Sequence, residues 1–301
     1  MTNPNELPPS EGAAAPPPPE SATALFKQFA VYPFFIVLGI VAVFTLFGLL
    51  LRDEKTEVDY LNSIRTASGD ERWYAAFQLS KVLDKRGEAL RGDPKFLHEV
   101  TAQFEGADGE DPRVQRYLAI VLGRVGNLSS LPTLTAAMRT DDDVETRVWS
   151  AWALGKIAVP EAVPSLLGAL EDADPAVRKM AAYALGSLHD PRALQPLLDA
   201  LDDTVEDVRW NVAIALAQQG DATGYPILRQ MVDSVYLSRI DGMTDERLKD
   251  VMMNAVKALG VLQATSPSAR DLLVETQRSA PFPLVQHEAK TQLEAGSGGG
   301  K

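Results

Sequence analysis

Hydrophobic residues follow two different patterns on either side of Arg52. Residues 29–51 form one run of 23 residues without a charge. Because a helix rises about 1.5 Å per residue, this run covers about 34 Å, enough to cross a hydrocarbon core of about 30 Å. No small-residue cleavage site follows Leu51, which argues against a signal peptide. The pattern predicts one transmembrane helix that anchors the chain in the lipid bilayer as a single-pass membrane protein.

Flanking charges bear on the orientation of this predicted helix. Lys27 precedes the run, whereas Arg52, Lys55 and Arg65 follow it. Basic residues concentrate on the cytoplasmic side of membranes, so this asymmetry favours a cytoplasmic position for the C-terminal part and leaves the opposite topology open. Residues 1–22 contain a run of four prolines and few bulky apolar residues. They are predicted to be disordered, because such a segment cannot bury enough surface to offset its ordering entropy.

After Arg52 the apolar residues recur at helical spacing, and this helical pattern itself repeats. Three sets of identical residues recur at the same interval of 31 residues, and we call each set a register. Their members are Asp141, Asp172 and Asp203; Arg147, Arg178 and Arg209; and Leu154, Leu185 and Leu216. Asp174-Pro175 is suited to begin the second helix of a repeat, with aspartate as the N-cap and proline in the first turn. Each repeat is therefore predicted to contain two helices.

The predicted fold is all-α: an α-solenoid of about seven helical hairpins preceded by one transmembrane helix. One hairpin cannot bury its apolar face alone, so successive hairpins must stack. Longer connections separate the first repeat from the second, around 84–95, and the fifth from the sixth, around 233–246. The predicted segments are a disordered tail (1–22), the transmembrane helix with its flanks (23–52), the repeat solenoid (53–295) and a flexible glycine-rich tail (296–301).

Composition argues against several functions. The net charge of −12 and the pI near 4.8 argue against nucleic-acid binding, because phosphate neutralisation needs a basic surface. The absence of cysteine excludes disulfides, thiolate metal sites and a cysteine nucleophile. Neither a nucleophile-elbow motif nor a calcium-loop spacing occurs. We therefore expect no catalytic residue, no cofactor, no metal and no small-molecule substrate.

The segment DPAVRKMAAYALGSLHDPRALQPLLDAL at 174–201 resembles the HEAT repeat, in particular the short bacterial type first noted in phycobilisome lyases. The resemblance is strong over about 140–232 and absent from residues 1–52. It implies that the second helices line a concave face. It also implies that the aspartate and arginine registers form a structural ladder between adjacent repeats. This ladder is expected to break where Gln115, Met252 and Gln286 replace the arginine. The resemblance indicates little about function, because one fold can serve many functions.

Enzymes with a similar architecture provide the alternative to a binding function. Deoxyhypusine hydroxylase places several His-Glu pairs on inner helices to hold two irons. This chain has three histidines, His98, His189 and His287, and only His287-Glu288 lies at the matching position of its repeat. One pair cannot supply the ligands of a di-iron site. The bilin-attaching lyases are the second comparison, but the repeat does not imply their activity. We predict that the chain is not an enzyme.

The second helices offer a surface for a protein partner. Numbered from the arginine register, positions +1 and +5 point away from the core of an isolated hairpin, yet many are large and apolar. We predict a concave partner-binding stripe of Trp73, Phe77, Ile120, Val148, Trp152, Tyr183, Trp210 and Ile214. The alternative is that these residues pack against the neighbouring repeat. The predicted function is a membrane-anchored scaffold that binds a membrane-associated protein, for example as an accessory subunit of a membrane complex. A purely structural subunit is a third reading.

Overall fold

The computed structural model describes residues 30–50, 55–107 and 109–298. The chain divides into two compact units between Lys55 and Thr56. Within the described residues there are sixteen α-helices and no strand, so the predicted all-α class is confirmed. The predicted proline-rich tail at 1–22 lies outside the described residues.

The first unit contains helix α1 (Tyr32–Leu50), whose apolar side chains are exposed as far as Leu46. This helix has 19 residues, fewer than the 23 of the apolar run at 29–51. Among the described residues, no helix is both long enough and apolar enough to cross a membrane. The predictions of a transmembrane anchor and of a membrane localisation are therefore wrong.

The second unit consists of helical pairs that follow one another along the chain. The pairs are α2 (Glu57–Thr66) with α3 (Asp70–Arg86), α4 (Pro94–Glu105) with α5 (Pro112–Val125), α6 (Leu131–Thr140) with α7 (Val144–Ile157), α8 (Val163–Ala169) with α9 (Pro175–Leu188), α10 (Leu194–Asp199) with α11 (Glu206–Gln218), α12 (Tyr225–Val232) and the short α13 (Ser234–Leu237) with α14 (Asp245–Leu262), and α15 (Pro267–Ser279) with α16 (Pro283–Gly298). Helix α16 includes the first part of the segment that was predicted to be a flexible tail.

Local sequence explains where several second helices begin. Asp111, Asp143 and Asp174 cap α5, α7 and α9, and each side chain accepts a hydrogen bond from a backbone N–H of the first turn. Pro112 and Pro175 follow directly, at a position where the missing N–H of proline costs nothing. These caps orient the second helices alike in successive repeats.

Successive second helices contact one another along their length, whereas successive first helices touch at fewer points. The buried apolar side chains form two clusters. The first cluster extends from Leu61 to Leu216 and the second from Trp210 to Ala289, so α11 contributes to both. The contact between α11 and α14 is also less extensive than the contacts among α5, α7, α9 and α11. The core of the second unit is therefore weakest at this junction.

Glycine and alanine determine how closely the second helices approach. A Cβ atom added at Gly123 would lie 2.8 Å from Cα of Ala153, and one added at Gly155 would lie 2.7 Å from Cβ of Ala184. The same relation recurs one repeat later at Gly186. Because no methyl group fits at these distances, only glycine permits this close approach.

Candidate functional site

Arginines of the 31-residue register join adjacent repeats through forked hydrogen bonds. Arg147 donates from Nε and Nη2 to the two carboxylate oxygens of Asp172, at 3.2 Å each. Arg178 donates in the same way to Asp203, at 2.7 and 3.1 Å. The Nη1 of each arginine donates to a backbone carbonyl of its own repeat, that of Asp141 at 2.8 Å or of Asp172 at 2.9 Å. Each arginine thus links the loop of its own repeat to the loop of the next.

The links differ in the repeats that precede Arg147 and follow Arg178. Arg209 donates to a carbonyl of its own repeat at 2.7 Å, and the carboxylate that it contacts is Glu206 of the same helix, 3.8 Å away. At the other end, Gln115 occupies the arginine position, but the adjacent Arg116 donates to both carboxylate oxygens of Asp143, at 2.8 and 2.5 Å. Gln115 itself makes no link to the aspartate register, and Arg116 joins the repeats instead through Asp143, which lies outside that register.

Asp203 shows the electrostatic effect of such a link. The hydrogen bond from the Arg178 side chain is the main reason that the pKa of Asp203 lies below its ordinary value; partial burial opposes this shift, and the N–H of Val205 adds to it. The side chains of Arg178 and Asp203 are 14% and 11% exposed. Little water competes for this pair, so it contributes more to stability than a surface ion pair does.

The eight residues of the predicted stripe differ in exposure. Tyr183 is 38% exposed. Four residues are half-buried: Trp73, Phe77, Trp152 and Ile214. Three residues are buried: Ile120, Val148 and Trp210. The structure therefore does not bring all eight together as one open surface.

For Ile120, Val148 and Trp210, the prediction that they point away from the core is wrong. Val148 belongs to the first core cluster and Trp210, at 4% exposure, to the second. The physical reason is the close approach of the second helices, which brings positions +1 and +5 of one helix against its neighbour. These three residues fit the alternative prediction, that they pack against the neighbouring repeat.

Position +2 was not predicted as part of a surface, although it carries aromatic residues in three consecutive repeats. These residues are Tyr74, Tyr117 and Trp149. Rings on α3 and α5 form one cluster with centroids 5.2–6.3 Å apart, and two tryptophans on α7 lie 5.9 Å apart. We call the following set the aromatic surface: Trp73, Tyr74, Phe77, Tyr117, Trp149 and Trp152. The register that revealed positions +1 and +5 contained this signal as well.

Cations lie over three rings of the aromatic surface, at distances where the ring quadrupole attracts positive charge. The pairs are Lys81 over Phe77 at 4.5 Å, Arg113 over Trp73 at 4.5 Å and Lys156 over Trp152 at 5.5 Å. Arg113 also forms ion pairs with Asp70 and Asp111. This face of an acidic protein therefore combines aromatic rings with positive charge.

The histidines do not form a metal centre with their neighbours in the structure. Among the residues described, no three His, Asp or Glu side chains are grouped closely enough to hold a metal ion. His287, the histidine of the in-register His-Glu pair, is exposed on α16.

Comparison with known proteins bears on the fold. The model of the HEAT repeats family matches residues 102–174 and 164–241. The solved complex of CpcE and CpcF of phycocyanin lyase from Nostoc sp. is 17% identical and has a TM-score of 0.54, with 81% of this chain and 96% of that chain covered. Human deoxyhypusine hydroxylase is 16% identical with a TM-score of 0.35, covering 80% and 96%. No curated protein sequence matches the chain.

The fold shared with phycocyanin lyase corrects one prediction. We predicted that the chain is not an enzyme because no catalytic motif was found and only one His-Glu pair lies in register. A lyase is built on the same fold. The prediction is therefore contradicted, since this architecture serves enzymes as well as scaffolds.

The family match and the geometry agree on the fold. Stacked helical pairs, forked arginine–aspartate links and close glycine–alanine contacts all recur within the matched segment. Residues 102–241 match the HEAT repeats family model, and the described part of the second unit has an all-helical, solenoid-like fold.

Proposed function

We propose that the repeat segment at 53–295 is a scaffold that binds a protein partner through the aromatic surface, as an accessory subunit of a protein complex. The observation that carries this proposal is the cluster of four aromatic rings on α3 and α5, together with a pair of tryptophans on α7. Tyr74 in this cluster is 52% exposed. Aromatic side chains dominate binding hot spots because they bury a large area at a low cost in conformational entropy.

Members of the aromatic surface differ in how much they also support the fold. Trp152 packs on α5, where its Cζ3 atom would lie 2.9 Å from a Cβ at Gly123. Its removal should therefore lower both stability and partner binding. Tyr74 lies at the surface and should contribute to binding with little effect on stability. Tyr183 on α9 extends the exposed aromatic residues by one repeat.

The test is affinity capture with the full chain and with Tyr74→Ala, quantified for each captured protein. We expect Tyr74→Ala to reduce the retention of a specific partner about tenfold or more, because a hot-spot aromatic contributes about 2 kcal/mol. Its melting temperature should stay close to that of the unchanged chain. Leu128→Ala is the matched control, because Leu128 is 57% exposed in the turn before α6.

Trp152→Ala tests how far one residue of the aromatic surface contributes to fold stability as well as to partner binding. Replacing this half-buried tryptophan, which packs on a neighbouring helix, should lower the free energy of unfolding by about 2–3 kcal/mol. The loss should be somewhat smaller than for a fully buried tryptophan. Urea denaturation measures this loss. If no captured protein depends on Tyr74 while Leu128→Ala behaves like the unchanged chain, the aromatic surface is not the binding site.

A further inference from the structure

The arginine position of α5 is occupied by a shorter, uncharged side chain. From this position Arg147 on α7 and Arg178 on α9 reach the next repeat, whereas α5 carries Gln115. Gln115 is 6% exposed, and its Nε2 donates to the carbonyl of Phe104 at 3.3 Å. Within the described residues its Oε1 accepts no hydrogen bond. A buried amide oxygen in this state is an acceptor that a ligand can satisfy.

Gln115 lines a groove of about 580 Å³ between the second and third helical pairs. Five carboxylates line it as well, and none of its lining residues in the described chain is basic; the carboxylates belong to Glu105, Glu110, Asp141, Asp142 and Asp143. Glu110 pairs with Arg72, and Asp143 pairs with Arg116. Asp142 is exposed and, in the part of the chain that the structure describes, forms no ion pair. The groove therefore favours a cationic ligand.

Asp141 has the same local geometry as the two aspartates that receive an arginine. Its carboxylate accepts a hydrogen bond from the N–H of Asp143 at 2.9 Å. Asp172 and Asp203 accept the same bond from the N–H two residues later, at 2.8 Å each. Both of them receive a guanidinium in addition. Because a carboxylate has several acceptor positions, the backbone bond leaves capacity for a guanidinium at Asp141 too.

The chemistry of the groove narrows the kind of cation. Among the described residues, no three carboxylates or histidines are grouped closely enough to hold a metal ion. A guanidinium presents several N–H donors in one plane, so it can bridge acceptors that lie farther apart. Free arginine would also bring its own carboxylate, which the acidic groove repels. An arginine within a peptide chain has no such carboxylate beside its side chain.

On these observations we propose that the groove binds the guanidinium of an arginine side chain from a partner protein. The guanidinium occupies the place that an arginine of α5 would fill and donates to Asp141 and to Oε1 of Gln115. The partner thereby supplies the link between repeats that α5 does not make. None of the six residues of the aromatic surface lines this groove, so the inference goes beyond the proposed function and does not depend on it.

The probe for a direct test is arginine blocked as N-acetylarginine amide, titrated into the full chain and followed by the NMR shifts of backbone amides. We expect saturable shifts centred on 104–115 and 133–143, the segments that line the groove. Blocked citrulline has the same shape without the charge. It should bind at least about tenfold more weakly, because charge-assisted hydrogen bonds are about twice as strong as neutral ones. Free arginine should also bind more weakly than blocked arginine.

Two variants locate the site. Gln115→Arg should abolish binding, because the chain's own guanidinium then fills the groove, and it should raise the melting temperature by completing the link to Asp141. Gln286→Arg is the matched control, because it makes the same change at the arginine position of α16, outside the groove, and should leave binding unchanged. Asp142→Asn removes an exposed charge at the groove and should weaken binding about threefold without lowering stability.

Several results would overturn the proposal. Equal binding of blocked arginine and blocked citrulline, or binding of neither, would refute a guanidinium site. So would unchanged binding by folded Gln115→Arg; if that variant does not fold, unchanged binding by Asp142→Asn refutes the site instead. Free arginine that binds as tightly as blocked arginine would overturn the partner's side chain as the source of the guanidinium. The aromatic surface is judged separately, by the capture experiment with Tyr74→Ala.

Discussion

Single methyl groups control the packing of this solenoid at the scale of the residue. Gly155→Ala would place a Cβ 2.7 Å from that of Ala184, so α7 and α9 would have to separate. We expect a loss of about 1–3 kcal/mol in unfolding free energy, as for other overpacked sites. Gly168→Ala is the control, because nothing lies within 4 Å of its added Cβ, and helix propensity should make it neutral or slightly stabilising. Equal effects of the two changes on urea denaturation would contradict this account.

The link between Arg178 and Asp203 makes stability depend on pH. Because the pKa of Asp203 is lowered in the folded state, its contribution is fully present above the unfolded value of about 3.9 and is lost as pH falls through the folded value. Asp203→Asn keeps the shape of the side chain but loses the charge. We expect it to cost about 1–3 kcal/mol at pH 7 and much less at pH 3.

Urea denaturation of both proteins at the two pH values measures this difference. Asp202→Asn serves as the control, because Asp202 is exposed in the same loop and should change stability little at either pH. A cost for Asp203→Asn that is the same at pH 7 and pH 3 would show that the ionised form of Asp203 is not the source of the stabilisation.

Sequence reasoning at this scale succeeded for residues in regular register and failed where a neighbouring helix intervenes. The partners of Arg147 and Arg178 lie in the predicted aspartate register because each link spans one repeat of constant length. Arg116 was not predicted as a link, because it lies one residue out of register. Trp210 was predicted to be open, because the spacing within one helix carries no information about how closely the next helix packs.

At the scale of the element, the junction between α11 and α14 differs from the other junctions. Ala217 stands where α5, α7 and α9 have glycine. Among the described residues, Arg209 pairs with no aspartate of the following repeat. The links there are Arg247 with Asp207 at 2.7 Å, whose side chains are 41% and 35% exposed, and a hydrogen bond from Tyr236 to Glu206. Exposed pairs contribute little to stability. The helices after α11 are therefore held less firmly to the rest.

Native-state hydrogen exchange should reveal this difference. In repeat proteins each repeat is stabilised mainly by its neighbours, so a weak junction allows the repeats beyond it to open separately. We expect backbone amides of α12, α14, α15 and α16 to exchange faster than those of α5, α7 and α9. Equal protection in the two groups would show that the junction is as strong as the others. The long connection around 233–246 signalled a change at this point, but only the structure shows the divided core.

At the scale of the whole molecule, the fold class followed from the sequence more directly than function or location did. Helical spacing, caps and a 31-residue interval are local signals, and together they require stacked helical pairs. The apolar run at 29–51 was interpreted from hydropathy alone, whereas the regular helix there covers only 19 residues. The absence of catalytic motifs could not exclude enzymatic activity, because the fold is shared with a lyase. Such a conclusion needs a site and cannot rest on a fold.

The glycine–alanine contacts have one more consequence, for selectivity. They lie between the helices and touch no ligand, yet they set the interval at which the outer surface presents equivalent side chains. An alanine at Gly123 would push α5 and α7 apart. The aromatic rings on α5 and α7 would then lie farther apart, which should change the partner segments that the aromatic surface accepts. Residue volume between the packed helices thus becomes a means of tuning which partner sequences the surface accepts.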